Sequence, residues 1–358
     1  MKVLHVIARM NVGGTARYVG RLVESDSSAL LATGFVQGAE AEDDCVLRLP
    51  VVRVPHMGRA ISPVRDFLAF LELRKIIRKV KPDVVHSHTF KAGLLARLVG
   101  GPSKKVHTFH GHLFDDSSFS RLQKNVITLA EKFMAGRTDV LISVGKQVGV
   151  ELREAGIGAS GTWVSIAPGV DALPRVERSI ARSSLGVKDD RVLVGWMARV
   201  TSVKNPLLMI EVAKRLPSVS FVVAGGGDML EEIKTKAPSN VSVIGWADAS
   251  VFWSGVDIAL STSDNEGMPV ALIEAQLAGI PVVCTDVGSN GEVIESGSTG
   301  FVVEKQVDVL VKAIEKLVDS RELRESFGKS AQIRASVEFG VPAMLDKHSA
   351  LYKGLIKS

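Results

Sequence analysis

Short apolar runs alternate with helical patterns along almost the whole chain. Lys2 to Ala8 reads as a buried strand that ends before Gly13-Gly14 and leads into a helix from about Thr15. Asp83 to His86, Lys105 to Thr108, Val140 to Val144 and Trp163 to Ala167 predict further strands. Val192 to Met197, Ser220 to Ala224, Val241 to Ile244, Ile258 to Ser261 and Val282 to Thr285 repeat the rhythm. Strands spaced by helices imply parallel sheets with right-handed crossovers, hence an α/β architecture. Ala167-Pro168-Gly169-Val170-Asp171, followed by a polar stretch to about Asp190, is the linker candidate. The pattern therefore predicts two doubly wound domains with a cleft between them. In open α/β sheets, ligands sit beyond the carboxyl ends of the strands, so the chemistry belongs in strand-to-helix loops.

Composition supports this picture. A chain of 358 residues suits two domains better than one. With 46% hydrophobic and 23% charged residues, intrinsic disorder is excluded. Cys45 and Cys284 are the only cysteines, which excludes a disulfide framework and suggests a reducing compartment. Val3 to Ala8 is too short for the core of a signal peptide, and no run approaches the roughly 18 apolar residues of a spanning helix. The expectation is a cytoplasmic protein, soluble or attached to a membrane from one side.

The charge is uneven. Residues 1–170 carry 23 Lys/Arg against 15 Asp/Glu, whereas residues 171–358 carry 21 against 24. Basic residues concentrate in Arg74, Lys75, Arg78, Lys79 and Lys81, at the end of a helical pattern containing Phe67, Leu68, Phe70, Leu71 and Leu73. Such a cluster fits first an ordinary helix C-terminus, where the dipole favours cations, and alternatively an anionic membrane surface or a phosphorylated acceptor. Few aromatic residues interleave with it, which disfavours nucleic acid.

Three segments in the second half carry candidate chemistry. After the strand ending at Met197 come Arg199 and Lys204, then Asn205 and Pro206, a good N-cap and a good first helical residue. Cations beside a helix N-terminus are disfavoured by a few tenths to about 1 kcal/mol, so this pair is either incidental or placed for an anion. Gly225-Gly226-Gly227-Asp228 follows another strand; its glycines permit close ligand approach or a tight turn, and Asp228 is suited to cap the next helix. In the third, Pro269 starts a helix and Gly279 ends it. Val270, Ile273 and Leu277 form one apolar face of that helix, and Glu274 falls only about 40° from Val270. A carboxylate there needs a strong partner, either a salt bridge or a ligand's hydroxyl pair. Glu266 precedes this helix, and Gly267 leaves backbone N–H groups open to an anion.

Arg199 and Lys204, with Glu266 and Glu274 in a Glu-x7-Glu spacing, resemble the donor-site signature of family 4 glycosyltransferases. Gly13-Gly14, Asp83 to His88, His107 to Gly111 and Ala167 to Asp171 occur in the family's order, so the resemblance covers nearly the whole chain. It implies the GT-B fold: an acceptor-binding domain over 1–168, completed by a helix over 342–358, and a nucleotide-sugar domain over 169–341. It implies that Arg199 and Lys204 hold the donor pyrophosphate and stabilise the leaving nucleoside diphosphate. Glu274 would bind the ribose hydroxyls, and Glu266 with Gly267 and Met268 the hydroxyls of the transferred sugar. Gly226 and the backbone near Gly245 and Trp246 would meet the nucleotide and its base. Gly13 and Gly14 would admit donor phosphate or acceptor, and His110 would orient the sugar.

The implied reaction is hexose transfer from a UDP-sugar, or next a GDP-sugar, with retained anomeric configuration, to a glycan or lipid-linked acceptor. Cell-surface polysaccharide or glycolipid synthesis at the inner membrane face would be the setting. No Asp-x-Asp occurs, consistent with a metal-independent mode and no cofactor beyond the sugar nucleotide. Ala-Pro-Gly at 167–169 stands where Pro-Asn-Gly is frequent. A rival reading groups His86, His88, His107, His110 and His112 with Asp115 and Asp116 as a metal-dependent hydrolase site. A noncatalytic sugar-phosphate binder and a nucleotide-sugar epimerase are further alternatives.

Overall fold

The computed structural model describes residues 1–38, 40–58, 62–111, 120–187 and 191–357. His112, Asp115 and Asp116 lie outside the described residues. The chain divides into two compact units, Met1–Gly169 with Val341–Ser358, and Val170–Gly340.

Unit 1 contains β1 (Val3–Ile7), α1 (Gly14–Glu24), β2 (Leu30–Thr33), β3 (Val51–Arg53), α2 (Pro63–Val80), β4 (Val84–His88), α3 (Phe90–Leu98), β5 (Lys104–Phe109), α4 (Arg121–Ala135), β6 (Val140–Ser143), α5 (Lys146–Glu154) and β7 (Trp163–Ser165). Among the described residues these strands form one seven-stranded parallel sheet, ordered β3-β2-β1-β4-β5-β6-β7. Alternation along each strand sorts the core. Val3, Ile7, Val84 and Val106 pack with α1 residues Tyr18, Val19 and Leu22. Leu4, Val6 and Val85 face the other way, onto Ala69 and Leu73 of α2 and Ala92 and Leu95 of α3. With both faces covered, every residue of β4 is buried, His86 and His88 included.

Unit 2 contains α6 (Arg178–Ser184), β8 (Leu193–Met197), α7 (Pro206–Arg215), β9 (Ser220–Ala224), α8 (Leu230–Lys236), β10 (Val241–Gly245), α9 (Ala249–Gly255), β11 (Ile258–Ser261), α10 (Val270–Leu277), β12 (Val282–Thr285), α11 (Asn290–Val293), β13 (Gly300–Val303), α12 (Val307–Asp319) and α13 (Arg321–Glu338). Its described strands make a six-stranded parallel sheet in the order β10-β9-β8-β11-β12-β13. The reversal of strand order lies between β8 and β11, where open α/β sheets receive ligands. The chain then returns to unit 1 as α14 (Val341–Lys357), whose Met344 and Tyr352 join the α1 side of that core.

β2, β3 and β13 escape the apolar-run pattern. They are short strands toward the sheet margins, and β3 and most of β13 are only half-buried. The acidic stretch from Glu40 to Asp44 has structural partners: Glu40 pairs with Arg9, Glu42 with Arg53, and Asp43 caps a 3-10 turn at Asp44–Arg48. Among the described residues, no helix is long and apolar enough to cross a membrane.

Candidate active site

After β8 the chain passes Arg199 and a 3-10 turn at Ser202–Lys204 before entering α7. Asn205 sits at φ 47°, and its Oδ1 accepts a hydrogen bond from the Leu208 N–H, so it caps α7 with Pro206 at the first helical position. Lys204 is thereby fixed one residue ahead of a helix start. Its Nζ lies 2.6 Å from Glu266 Oε1, and Ser263 Oγ donates to the same oxygen at 2.7 Å. Among the described residues Oε2 of Glu266 makes no hydrogen bond, although the residue is only 8% exposed. That oxygen is available to a ligand hydroxyl. Arg199 is exposed and pairs with no carboxylate among the described residues.

Backbone and side chains stitch these loops into one platform. Thr262 Oγ1 donates to the carbonyls of Lys204 and Asn205 at 3.2 and 2.9 Å and accepts from Trp196 Nε1 at 3.0 Å. Asp264 N–H reaches the Val203 carbonyl at 2.8 Å, and its carboxylate takes Asn205 Nδ2 and Lys305 Nζ. The Ser289 N–H donates to the Glu266 carbonyl at 3.1 Å. Lys204 and Glu266 are therefore set in place by three loops, those after β8, β11 and β12. No side chain caps the start of α10; the Val270 and Leu272 N–H groups turn back onto the Met268 and Pro269 carbonyls, and among the described residues no hydrogen bond takes the N–H groups of Gly267 and Met268.

The Gly225-Gly226-Gly227 loop has a packing reason for its composition. Gly225 has φ +136°, and a Cβ there would lie 1.9 Å from the Ala198 carbonyl oxygen; one at Gly227 would lie 2.2 Å from that of Val200. The β8 and β9 loops lie side by side, with Val200 N–H on the Gly226 carbonyl and Met229 N–H on that of Val200. Gly226 also meets Trp246, whose Nε1 would be 2.6 Å from an added Cβ. Trp246 is 78% exposed at the carboxyl end of β10, an aromatic surface open to stacking. Asp228 does not cap α8: the N-cap position falls to Met229, which makes no side-chain bond there.

Around α10, Glu274 is half-buried and lies 3.5 Å from Trp253 Nε1. The single apolar face expected for this helix is an underestimate. Leu272, Ala275 and Gln276 are buried too, and α13 packs beside it, with Gln332 Nε2 reaching the Leu277 carbonyl.

In unit 1, Gly13 is the N-cap of α1, without a side-chain cap and at φ +152°, which disfavours any side chain there, and an added Cβ at Gly14 would meet open space. His110 follows β5 at the same carboxyl edge and packs edge-on to Tyr18 of α1, 4.8 Å between ring centroids. It ends a buried chain in which His5 Nδ1 contacts His88 Nε2 at 3.2 Å and His88 Nδ1 contacts His110 Nε2 at 3.1 Å. His86 bridges Tyr352 Oη at 2.6 Å and Thr108 Oγ1 at 2.7 Å. His348 Nδ1 donates to the Met344 carbonyl, so its Nε2 accepts from Tyr18 O–H at 2.9 Å. Burial, aided by neighbouring imidazoles or, for His110, by His348, pushes His5 and His110 down to about 3 and His86 and His88 well below their ordinary value. Burial also takes His348 to about 4. The layer is neutral at physiological pH, and a neutral imidazole has one donor and one acceptor, so the His5–His88–His110 chain runs in a single direction.

This membership departs from the expected histidine set. His107 points to the opposite face of the sheet and bonds Ser87 Oγ at 2.9 Å, against Gly93 of α3. His5 and His348 take places in the layer instead, and the nitrogens of His5, His86 and His88 lie within 4.8 Å of one another. Strand alternation reveals the split, because 86, 88, 108 and 110 share a face and 87 and 107 share the other. Eight of the expected site residues thus lie on the strand-end loops and α10 of unit 2: Arg199, Lys204, Gly226, Trp246, Glu266, Gly267, Met268 and Glu274. Gly13, Gly14 and His110 lie at the carboxyl edge of the unit 1 sheet.

Two parallel-sheet α/β units of this kind match the GT-B fold of solved structures. HepE of Anabaena, solved in complex with UDP, superposes with a TM-score of 0.84 at 19% identity, over 99% of this chain and 100% of that one. A family model described as Glycosyltransferase Family 4 matches residues 12–172, and one described as Glycosyl transferases group 1 matches residues 177–334. The chain is 28% identical over 326 residues to the UDP-Gal:alpha-D-GlcNAc-diphosphoundecaprenol alpha-1,3-galactosyltransferase of Escherichia coli, covering 85% of this chain and 83% of the relative. It is 25% identical to the O-antigen biosynthesis glycosyltransferase WbnH of the same organism, covering 98% of both. The chain belongs to glycosyltransferase family 4 and is a glycosyltransferase of GT-B type.

Proposed function

We propose that this enzyme transfers a hexose from a UDP-sugar, or next a GDP-sugar, to a glycan or lipid-linked acceptor, in cell-surface polysaccharide or glycolipid synthesis. The observation that carries the reading is the Lys204–Glu266 pair, a cation and a carboxylate held 2.6 Å apart beside a helix start at the switch in strand order. Breaking the anomeric bond builds positive character on the sugar and negative charge on the departing diphosphate. Lys204 and Arg199, with the uncapped start of α10 at Gly267 and Met268, oppose that negative charge. Glu266, through Oε2, takes a hydroxyl of the sugar. Glu274 takes the ribose hydroxyls, and Gly226 and Trp246 receive the base. Unit 1 supplies acceptor recognition, with Gly13 and Gly14 opening the start of α1 and His110 offering a neutral imidazole to a sugar hydroxyl.

Retention of configuration and independence of metal belong to the same reading, with the enzyme cytoplasmic and peripheral at the inner membrane face. The donor preference draws support from the UDP in HepE and the UDP-Gal in the name of the galactosyltransferase; the acceptor class draws support from the diphosphoundecaprenol substrate in that name. A thermal-shift panel of UDP, GDP, ADP and their sugars tests the donor. A ligand at 100 times its Kd adds about 2.7 kcal/mol to the folded state, so the matching nucleotide raises the melting temperature and the others do not. A panel without any shift overturns the proposal.

A further inference from the structure

Three histidines climb the unit 1 sheet toward its carboxyl edge. In the strand register His5 lies opposite His86, whereas His88 lies opposite Ile7, further along; His110 follows the end of β5. Hydrogen bonds join the three: His5 Nδ1 with His88 Nε2 at 3.2 Å, and His88 Nδ1 with His110 Nε2 at 3.1 Å. Both nitrogens of His88 are thus committed, and its side chain is fully buried. His86 cannot take its place, because its own nitrogens bond Tyr352 and Thr108. Tyr18 of α1 packs edge-on to His88 and His110, at 5.9 and 4.8 Å between ring centroids, and so restrains both ring planes. His110 is the half-buried end of the row, and among the described residues its Nδ1 makes no hydrogen bond.

A row of neutral imidazoles can run in two directions, and they give His110 opposite chemistry. With the protons on Nδ1 throughout, His110 presents an N–H; with the protons on Nε2 throughout, it presents a lone pair. The surroundings favour Nε2. Helix α1 connects the parallel strands β1 and β2, so it runs antiparallel to them. Its positive end, at Gly14, lies at the carboxyl edge beside His110, and its negative end, at Glu24, lies toward the amino edge. Asp26, just past that negative end, acts in the same sense: burial and His348 push His5 down to about 3, while the Asp26 charge pulls upward. Protons on Nε2 point each N–H dipole along the row toward His5, with its positive end toward these negative groups. The reverse order sets all three dipoles against the same field. Nε2–H is also the form that an isolated histidine side chain prefers.

We propose that His88, backed by His5, is a positioning residue that holds His110 in its Nε2–H form, leaving Nδ1 of His110 as a fixed hydrogen-bond acceptor for a substrate hydroxyl. This rests on the role proposed for His110 above, and adds which atom serves and what fixes it. The full chain, with nitrogen-15 in its histidines, is measured by NMR at neutral pH without donor or acceptor. The result therefore stands whether or not transfer is detected, and the wild-type spectrum decides without any variant of His88. Ring nitrogens with and without a proton resonate far apart, and the His110 pair is identified by its loss in His110→Gln. The wild type shows His110 in one form, protonated on Nε2. His88→Leu, close in volume, removes the acceptor; His110 then exchanges between both forms, and kcat/KM falls about 3–10-fold, as for one neutral hydrogen bond left misaligned. His88→Asn, whose Oδ1 can accept from His110 Nε2–H, restores the single form and most of kcat/KM. A merely structural role lowers the melting temperature of both variants and leaves the His110 nitrogens as they were. Circular dichroism and melting curves verify that each variant is folded. A wild-type His110 protonated on Nδ1, or populating both forms, overturns the proposal. So does folded His88→Leu with unaltered His110 nitrogens or unaltered kcat/KM.

Discussion

Replacing Lys204 by alanine separates its structural and chemical contributions. The lysine and Glu266 side chains are 18% and 9% exposed, and their contact is a charge-assisted hydrogen bond of 2.6 Å. Losing such a bond costs about 1.5–3 kcal/mol, toward the low end here because Ser263 still donates to Glu266. For a unit the size of Val170–Gly340, that lowers the melting temperature by about 3–6 °C. The catalytic loss is larger. Removing one preorganised stabiliser of developing charge lowers kcat by about 10²–10³-fold. Glu266→Gln breaks the same contact, so the melting shifts of the two variants combine less than additively. Steady-state kinetics with the donor found by thermal shift, together with melting curves of both single variants and the double, supply the comparison. Lys204→Ala with a lowered melting temperature but kcat within about tenfold of wild type would refute the assignment, because the lysine would then only hold Glu266 in place.

Two further outcomes are expected. Glu274→Ala raises the dissociation constant of the nucleoside diphosphate by about 10–100-fold, as for lost hydrogen bonds to a charged group, with kcat reduced less; unchanged affinity by calorimetry would remove the ribose role. Acid destabilises unit 1 selectively. His5 and His110 are held near 3 and His348 near 4, against 6.5 when unfolded, so below pH 6.5 the unfolded chain takes up protons that the folded unit refuses. Their contribution is complete above pH 6.5 and falls by up to about 1.4 kcal/mol per pH unit for each histidine as the pH drops toward those values. Residues 170–340 contain no histidine, so scanning calorimetry at pH 7.5 and 5 shifts one transition far more than the other; parallel shifts contradict this account.

Much of the architecture is legible because buried parallel strands are continuous apolar runs and the loops after them carry Gly, Pro and charge. Asn205 and Pro206 announce the start of α7 through local chemistry alone. What escaped depends on contacts distant in sequence. The capping geometry of Asp228 is lost because Met229 bonds back to Val200, a residue of another loop. The glycines at 225 and 227 answer to the Ala198 and Val200 carbonyls, which no local pattern discloses. Glu266 and Lys204 were each identifiable as candidates, but their pairing across 62 positions, and Ser263 as the third member, needed the folded loops. The histidines were visible as a set, yet their division between two faces follows from strand alternation, and His348 arrives from the far end of the sequence.

That late arrival bears on how the chain matures during synthesis. Tyr18 and His86 wait for His348 and Tyr352, which the ribosome makes only after every residue of unit 2. The inserted unit is free to finish first, whereas the one begun earliest must hold a row of uncharged imidazoles short of their closing partners until α14 emerges.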